Sequence, residues 1–129
     1  MQRTSARLTS AGTPVTWLGA NYWSRTGGPL MWRSYDPKVV EEELRTLRDH
    51  GLNCTRSFYY WPDFMPTPYS VDEEKCALFA DFLDRHQAQG MTTIPTFIVG
   101  HMSGENWDPS CRGRRARTGP SSRRTCDRR

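Results

Sequence analysis

The sequence predicts an α/β chain that opens a parallel (β/α)8 TIM barrel. It reads as an N-terminal β-hairpin, three barrel strands with two helices between them, and a disordered C-terminal tail. Three observations predict it. Elements alternate in the order strand, loop, helix, glycine, strand. Both helices stop at a glycine, Gly51 and Gly90, directly before the next strand. Loops before the helices are long and loops after them minimal: 11 residues separate Phe58 from Ser70. That asymmetry is the habit of βα-barrels, in which function sits on the long loops at the strands' C-terminal ends. Leu18, Leu52 and Met91 mark strands 34 and 39 residues apart. A typical barrel of about 250 residues uses roughly 31 per unit. A doubly wound sheet is the competitor, and it requires a glycine-rich phosphate turn after strand one. Asn21-Tyr22-Trp23 occupies that place instead.

Each element has a local reason. Arg7 to Gly19 reads as a hairpin turning through Ser10-Ala11-Gly12-Thr13-Pro14, a turn by composition. Val15-Thr16-Trp17-Leu18 reads as a strand leading into Gly19-Ala20-Asn21-Tyr22-Trp23, and Ser24 to Tyr35 as a loop. Asp36-Pro37 pairs an N-cap with proline at the first helical position. Val40, Leu44 and Leu47 then recur at helical spacing, and Glu41 stands four residues before Arg45. Strand two is expected from Leu52 to Phe58, before four consecutive aromatics and a Pro62 that stops the ladder. Ser70-Val71-Asp72-Glu73 matches a capping box, with Cys76, Phe79, Ala80 and Leu83 expected on the inner face of helix two. Met91 to Val99 reads as strand three, and Gly100 to Pro109 as a loop rich in polar and aromatic groups.

Charge divides the chain in two. Residues 1–109 hold 10 Lys and Arg against 13 Asp and Glu, a net of −3, and form the expected barrel portion. Residues 110–129 hold 8 Arg against one Asp, a net of +7. The pI near 9.1 therefore belongs to the tail and does not make the body basic. The tail has no Leu, Ile, Val, Met, Phe, Tyr or Trp, so it cannot bury apolar area to offset its ordering entropy. Its abrupt Arg/Gly/Ser/Pro/Thr composition fits a frameshifted GC-rich reading frame. Cys54, Cys76, Cys111 and Cys126 show no C-x-x-C spacing, which argues against zinc. No metal or other cofactor is expected. Arg3 and Arg7 precede no apolar run of signal-peptide length, and no segment reads as a membrane span. As written, the chain is expected in the cytoplasm; a start assigned too far downstream would hide a secretion signal.

Three strand ends carry the chemistry. The first supplies Asn21, Tyr22 and Trp23; the second Arg56, Tyr59, Tyr60, Trp61 and Asp63; the third His101, Glu105, Asn106 and Trp107. A core strand rarely carries an arginine, because burying an unpaired cation costs several kcal/mol or more. Arg56 beside an aromatic wall therefore reads either as a site residue or as a solvated arginine on an edge strand. Flat aromatics among hydrogen-bonding groups suit a ligand with apolar C–H faces and many hydroxyls, such as a sugar. The competing reading packs the same aromatics into an upper barrel core.

Taken together, Gly19-Ala20-Asn21-Tyr22-Trp23, Arg56 with its following aromatics, and Val99-Gly100-His101 with Asn106-Trp107 resemble glycoside hydrolase family 5. The likeness covers roughly residues 7–109 and points to the endo-β-mannanase and cellulase-like members. It implies a (β/α)8 barrel that hydrolyses β-linked polysaccharide or oligosaccharide, of mannan or glucan type, with retention. It implies that Arg56 supports a nucleophilic carboxylate. It also implies that Asn21, Tyr22, Trp23, Tyr60, Trp61, His101, Asn106 and Trp107 line the sugar cleft. The departure is severe. The family's acid/base carboxylate sits in an Asn-Glu pair after strand four and its nucleophile after strand seven, and this sequence contains no Asn-Glu pair. Glu105-Asn106 is the reverse order on another loop, and Asp63 is read as a loop-capping carboxylate. The expectation is a barrel portion with sugar contacts but no catalytic pair, and a sheet with unpaired edges that packs loosely or aggregates alone. The alternative is a small adaptor whose arginine tail docks on nucleic acid or another anionic partner. No aromatic interleaves those arginines, so carbohydrate is the expected partner and nucleic acid is not.

Overall fold

The computed structural model describes residues 9–10, 13–102 and 104–106, with side chains from residue 15 onward. Thr9–Ser10 (β1) and Thr13–Pro14 (β2) pair antiparallel, so the hairpin stands where its turn residues place it. The expected strand Val15–Leu18 does not form; the first barrel strand is Gly19–Asn21 (β3). Asn53 is the physical reason. Its Oδ1 accepts from the Leu18 N–H at 2.9 Å, and its Nδ2 donates to the Thr16 carbonyl at 2.9 Å. These side-chain bonds occupy backbone groups that a ladder would use. Gly19 then meets the next strand closely: a Cβ there would lie 2.5 Å from the Cys54 carbonyl oxygen.

Residues 24–35 were expected as a loop, but Gly28–Arg33 forms a 3-10 helix that buries Met31 and Trp32. Gly27-Gly28-Pro29 masked it, because glycine and proline signal turns more strongly than one apolar pair signals a helix. Helix α1, Pro37–Asp49, begins as expected: the Asp36 carboxylate accepts from Lys38 N at 2.9 Å and Val39 N at 3.3 Å. Strand β4 runs Cys54–Tyr60, two residues beyond the expected end, and the four-residue helix α2, Trp61–Phe64, takes up Pro62 in its first turn. Helix α3 spans Glu73–Ala88 and is capped by Asp72, not Ser70. The Asp72 carboxylate accepts from Lys75 N at 2.9 Å, closing the first turn two residues later than the capping-box pattern. Gly51 and Gly90 follow the helices at φ +84° and +66°, a left-handed turn that glycine adopts without strain. Strand β5, Thr92–Val99, and the small hairpin His101–Met102 (β6) with Glu105–Asn106 (β7) complete the described chain. The expected tail, 110–129, lies outside the described residues. No described helix is long and apolar enough to cross a membrane.

The sheet order is β3-β4-β5, all parallel, with Asn21 opposite Arg56 and Arg56 opposite Ile94. Side chains alternate faces along a strand. Thr55, Ser57 and Tyr59 of β4 face the helices; Cys54, Arg56, Phe58 and Tyr60 face the other way. The helix side is a packed aromatic layer around Trp32, Tyr59 and Phe82, all fully buried. Trp32 stacks on Tyr59 at 4.8 Å and meets Phe64 and Phe82 edge-on at 5.3 and 5.5 Å. On α3 the buried residues are Phe82 and His86, with Cys76 and Phe79 half-buried. The expected inner-face residues Ala80 and Leu83 are exposed. The helix turns its Phe79–Phe82–His86 stripe inward, because that stripe meets Tyr59 and Thr55.

A buried polar chain joins α3 to the sheet. His86 Nδ1 donates to the Phe82 carbonyl at 2.8 Å, and Nε2 lies 2.9 Å from Thr55 Oγ1. Thr55 and Ser57 each hydrogen-bond to Thr93 Oγ1 at 3.0 Å, and Ser57 reaches the Tyr59 hydroxyl at 3.0 Å. Four buried groups, His86, Thr55, Ser57 and Tyr59, and the half-buried Thr93 thus form one hydrogen-bonded network across β4, β5 and α3. Burial pushes the His86 pKa below its ordinary value, against an opposing pull from the Phe82 carbonyl.

Two outcomes follow. The unfolded chain gains a proton at His86 as pH falls through about 6.5 while the folded chain resists it. Stability contributed by neutral His86 is therefore present above that pH and lost below it. The urea midpoint of the far-UV signal should fall between pH 7 and pH 5, and the slope should flatten in His86→Gln. Equal slopes would show that His86 is not the linked group. The second outcome concerns the face opposite the helices. Ile94 is 46 % exposed and Trp17 44 %. The isolated 129-residue chain should bind a hydrophobic dye and self-associate with concentration in analytical ultracentrifugation. A dye-silent monomer with a sharp unfolding transition would show that this face is closed in solution.

Candidate functional site

The candidate site is the sheet face opposite the helices, together with the strand ends above it. A groove of about 240 Å³ runs along it, floored by Asn21, Cys54, Arg56 and Ile94 and walled by Trp17. Arg56 is the third residue of the seven in β4, so it sits mid-strand and exposed, not at the strand end where it was expected. Its Nε donates to Thr96 Oγ1 at 3.0 Å, and its guanidinium lies 5.0 Å from the Phe58 ring centroid. Trp23, 40 % exposed, packs on the same Phe58 ring at 5.9 Å. Trp23, Phe58 and Arg56 thus form one wall: flat aromatic surface beside a fixed cation. Among the described residues no carboxylate pairs with Arg56.

Alternation decides which expected site residues reach this face. Asn21 points into the groove, so Tyr22 points away. Tyr22 is 5 % exposed, stacks on Phe82 at 5.8 Å and donates its hydroxyl to Glu43 Oε2 at 2.7 Å. Burial, then the Glu43 carboxylate, raise its pKa well above the phenol range. Tyr60 faces the groove side but is fully buried against Phe58 and Val99. Both Tyr22 and Tyr60 are thus buried in this chain, where the expected cleft would have them exposed. Trp61 is half-buried at the start of α2.

At the third strand end, His101 Nδ1 donates to Asn106 Oδ1 at 2.8 Å, so two expected residues do meet. Both are exposed. Met102 seats the hairpin on the Phe58–Tyr60–Val99 cluster. A bulge prepares this. Phe58 pairs with Thr96 but Tyr60 with Val99, so β5 carries one extra residue. Ile98 absorbs it at φ +56°, an outlier for a β-branched residue. Without the bulge Val99 would face the helices; with it, Val99 closes on Tyr60. Glu105 is exposed on β7. Trp107 lies outside the described residues.

Asp63 does not cap its loop. It is buried and takes a fork from Arg33: Nε at 2.9 Å and NH2 at 2.8 Å from Oδ1. This contact ties the 3-10 helix after β3 to α2 after β4, joining two strand-end loops. Sequence reading missed it because Arg33 and Asp63 lie 30 residues apart in segments read as loops. Among the described residues no group of three His, Cys, Asp or Glu side chains is arranged to hold a metal ion.

No protein-family model matches the sequence, and no curated protein matches it by sequence. Solved structures do. An exo-β-1,4-mannosidase, Op5Man5 from Opitutaceae bacterium strain TAV5, is similar at a TM-score of 0.76 and 31 % identity, over 85 % of this chain and 20 % of the mannosidase. A GH5_18 protein from Bifidobacterium longum subsp. infantis matches at 0.67 and 28 %, over 71 % and 22 % of the two chains. GH5_18 from Streptomyces cattleya in complex with GlcNAc, at 0.68 and 24 % identity over 71 % and 22 %, is similar in fold. The chain spans about a fifth of the length of these structures.

The Arg33–Asp63 fork predicts a local effect. Arg33→Met leaves a buried carboxylate without its main donor, at about 1–3 kcal/mol. Limited proteolysis should cut faster within residues 65–71, just beyond α2, while cuts elsewhere change less. Unchanged cleavage of that loop would show that the fork does not hold it.

Proposed function

This chain is related to glycoside hydrolase family 5, and we propose that it is the substrate-contacting first part of a retaining β-glycosidase barrel acting on β-linked mannosides or glucosides. The observation that carries the reading is Arg56. An exposed guanidinium lies mid-strand against an aromatic wall, its Nε on Thr96. Such a group is placed to hold a carboxylate in its charged form. A retaining glycosidase needs that carboxylate as nucleophile, about 5–5.5 Å from a second carboxyl that serves as acid and then base. In this reading Arg56 positions the nucleophile supplied by a later strand. Trp23 stacks a sugar ring, and Asn21, His101 and Asn106 hydrogen-bond to hydroxyls. The C–H faces of a pyranose match an exposed indole, and its hydroxyls match amide and imidazole groups. The mannosidase likeness favours mannosides among β-linked sugars.

The chain contributes half of the chemistry: orientation of sugar and nucleophile, without the proton transfer. Purified alone, it should release no product from β-mannan or β-glucan. It should bind β-1,4-mannooligosaccharide weakly, by tryptophan fluorescence titration, and Trp23→Ala should weaken that binding about tenfold, on the order of one good aromatic contact. Measurable turnover would overturn the division of labour. Binding indifferent to Trp23→Ala would move the sugar away from this wall.

A further inference from the structure

We propose that Glu43 of α1 is a positioning residue for Trp23: its carboxylate brackets the indole from the helix side and sets the direction in which it meets a sugar. The inference rests on the carbohydrate reading above and adds to it a residue outside the groove. Glu43 stands three residues after Val40 and four before Leu47, on the stripe that α1 turns toward the core. An apolar residue is the ordinary occupant of such a place. The Glu43 side chain is only 16 % exposed, and a carboxylate withdrawn from water is unfavourable unless donors meet it.

The donors come from both sides of Trp23. The Tyr22 hydroxyl donates to Glu43 Oε2 at 2.7 Å. Arg25 N donates to Glu43 Oε1 at 3.0 Å, and Arg25 Nη1 donates to the same oxygen at 3.5 Å. One side chain thus holds the residue before Trp23 and the second residue after it. A carboxylate makes stronger hydrogen bonds than a neutral acceptor. Burial first, and Glu43 after it, keep the Tyr22 phenol protonated, so its donor persists. Tyr22 and Ser24 are buried, while Trp23 is exposed between them. Among the described residues the Trp23 indole meets one aromatic ring, Phe58, at a tilt of 51°. One tilted contact does not by itself fix the ring's direction, so the direction depends on the backbone around it. Tyr22 N is fixed on the Arg56 carbonyl at 2.8 Å, and Glu43 fixes the far side of Trp23 to the same helix that holds Tyr22. A ring held in place before the sugar arrives loses less entropy on binding. Glu43→Gln keeps a carbonyl for Arg25 N and offers an amide N–H to the Tyr22 oxygen, whereas Glu43→Ala keeps neither.

The test uses the 129-residue chain labelled with fluorotryptophan, the Trp23 fluorine resonance being assigned by its loss in Trp23→Phe. Glu43→Ala and Tyr22→Phe should each move the Trp23 resonance and leave that of the buried Trp32, and Glu43→Gln should leave both. Glu43→Ala should weaken β-1,4-mannooligosaccharide binding about tenfold, as Trp23→Ala does, with no further loss when the two are combined. Glu43→Gln should retain the affinity. If Trp23→Ala weakens binding and Glu43→Ala does not, or if their losses add in the double variant, this inference is overturned and the carbohydrate reading stands. Should Glu43→Ala fail to fold, Tyr22→Phe decides: an unmoved Trp23 resonance or an undiminished affinity there overturns the inference. If no oligosaccharide binds, the carbohydrate reading fails and this inference fails with it.

Discussion

The bond from Trp32 Nε1 to the Phe58 carbonyl, 2.8 Å and fully buried, is where the rest of the structure meets. It carries the first strand-end loop onto the middle strand. It also sets the indole plane, so that Tyr35 stacks on it at 5.7 Å with the rings 3° apart and Tyr59 packs close to the ring. A buried indole N–H without a partner would lose one to three kcal/mol or so in desolvation. The strand carbonyl prevents that loss. With Trp32 fixed, Phe64 and Phe82 have an edge to pack against, and the two long helices share one aromatic layer with the sheet.

The same strand has a second face under a different constraint. Side-chain alternation sends Tyr59 into the aromatic layer and Arg56 away from it. A cation among Trp32, Tyr59 and Phe82 would face several kcal/mol of desolvation, so the register that buries the aromatics also places the arginine on the groove. Phe58 links the two faces: its carbonyl anchors Trp32, and its ring supports Trp23 and Arg56. The site is therefore coupled to the core through one residue. Ile98 adds a local strain at the third strand end, where the bulge turns Val99 toward Tyr60.

Between the helices, charge does less. Arg85 bridges Asp81 and Glu41 across α3 and α1, and Tyr35 donates to Asp81 at 2.7 Å. Arg85 first, and Tyr35 after it, hold the Asp81 pKa below the usual carboxylate value. These pairs are partly exposed, and exposed pairs contribute about 0–1 kcal/mol each. They align α1 with α3 more than they stabilise either. The aromatic layer is what holds the helices to the sheet.

Local chemistry alone determined much of this protein. Asp36-Pro37, Gly51 and Gly90 set one helix start and two helix stops, because caps and left-handed turns depend on a few adjacent residues. The parallel order and the barrel reading followed from loop lengths, and the motifs around Asn21, Arg56 and His101 resembled glycoside hydrolase family 5 in sequence alone. Tertiary structure decided the rest. Asn53, 35 residues from Leu18, removed the expected strand by capturing backbone groups no local pattern reveals. Phe82 and His86 won the inner face of α3 over Ala80 and Leu83 because Trp32, Thr55 and Tyr59 stood opposite them. Tyr22 turned into the core and Arg56 onto the groove through the two-residue alternation of their strands. A residue list can place them at the same strand ends; only the pairing register says which face each one shows.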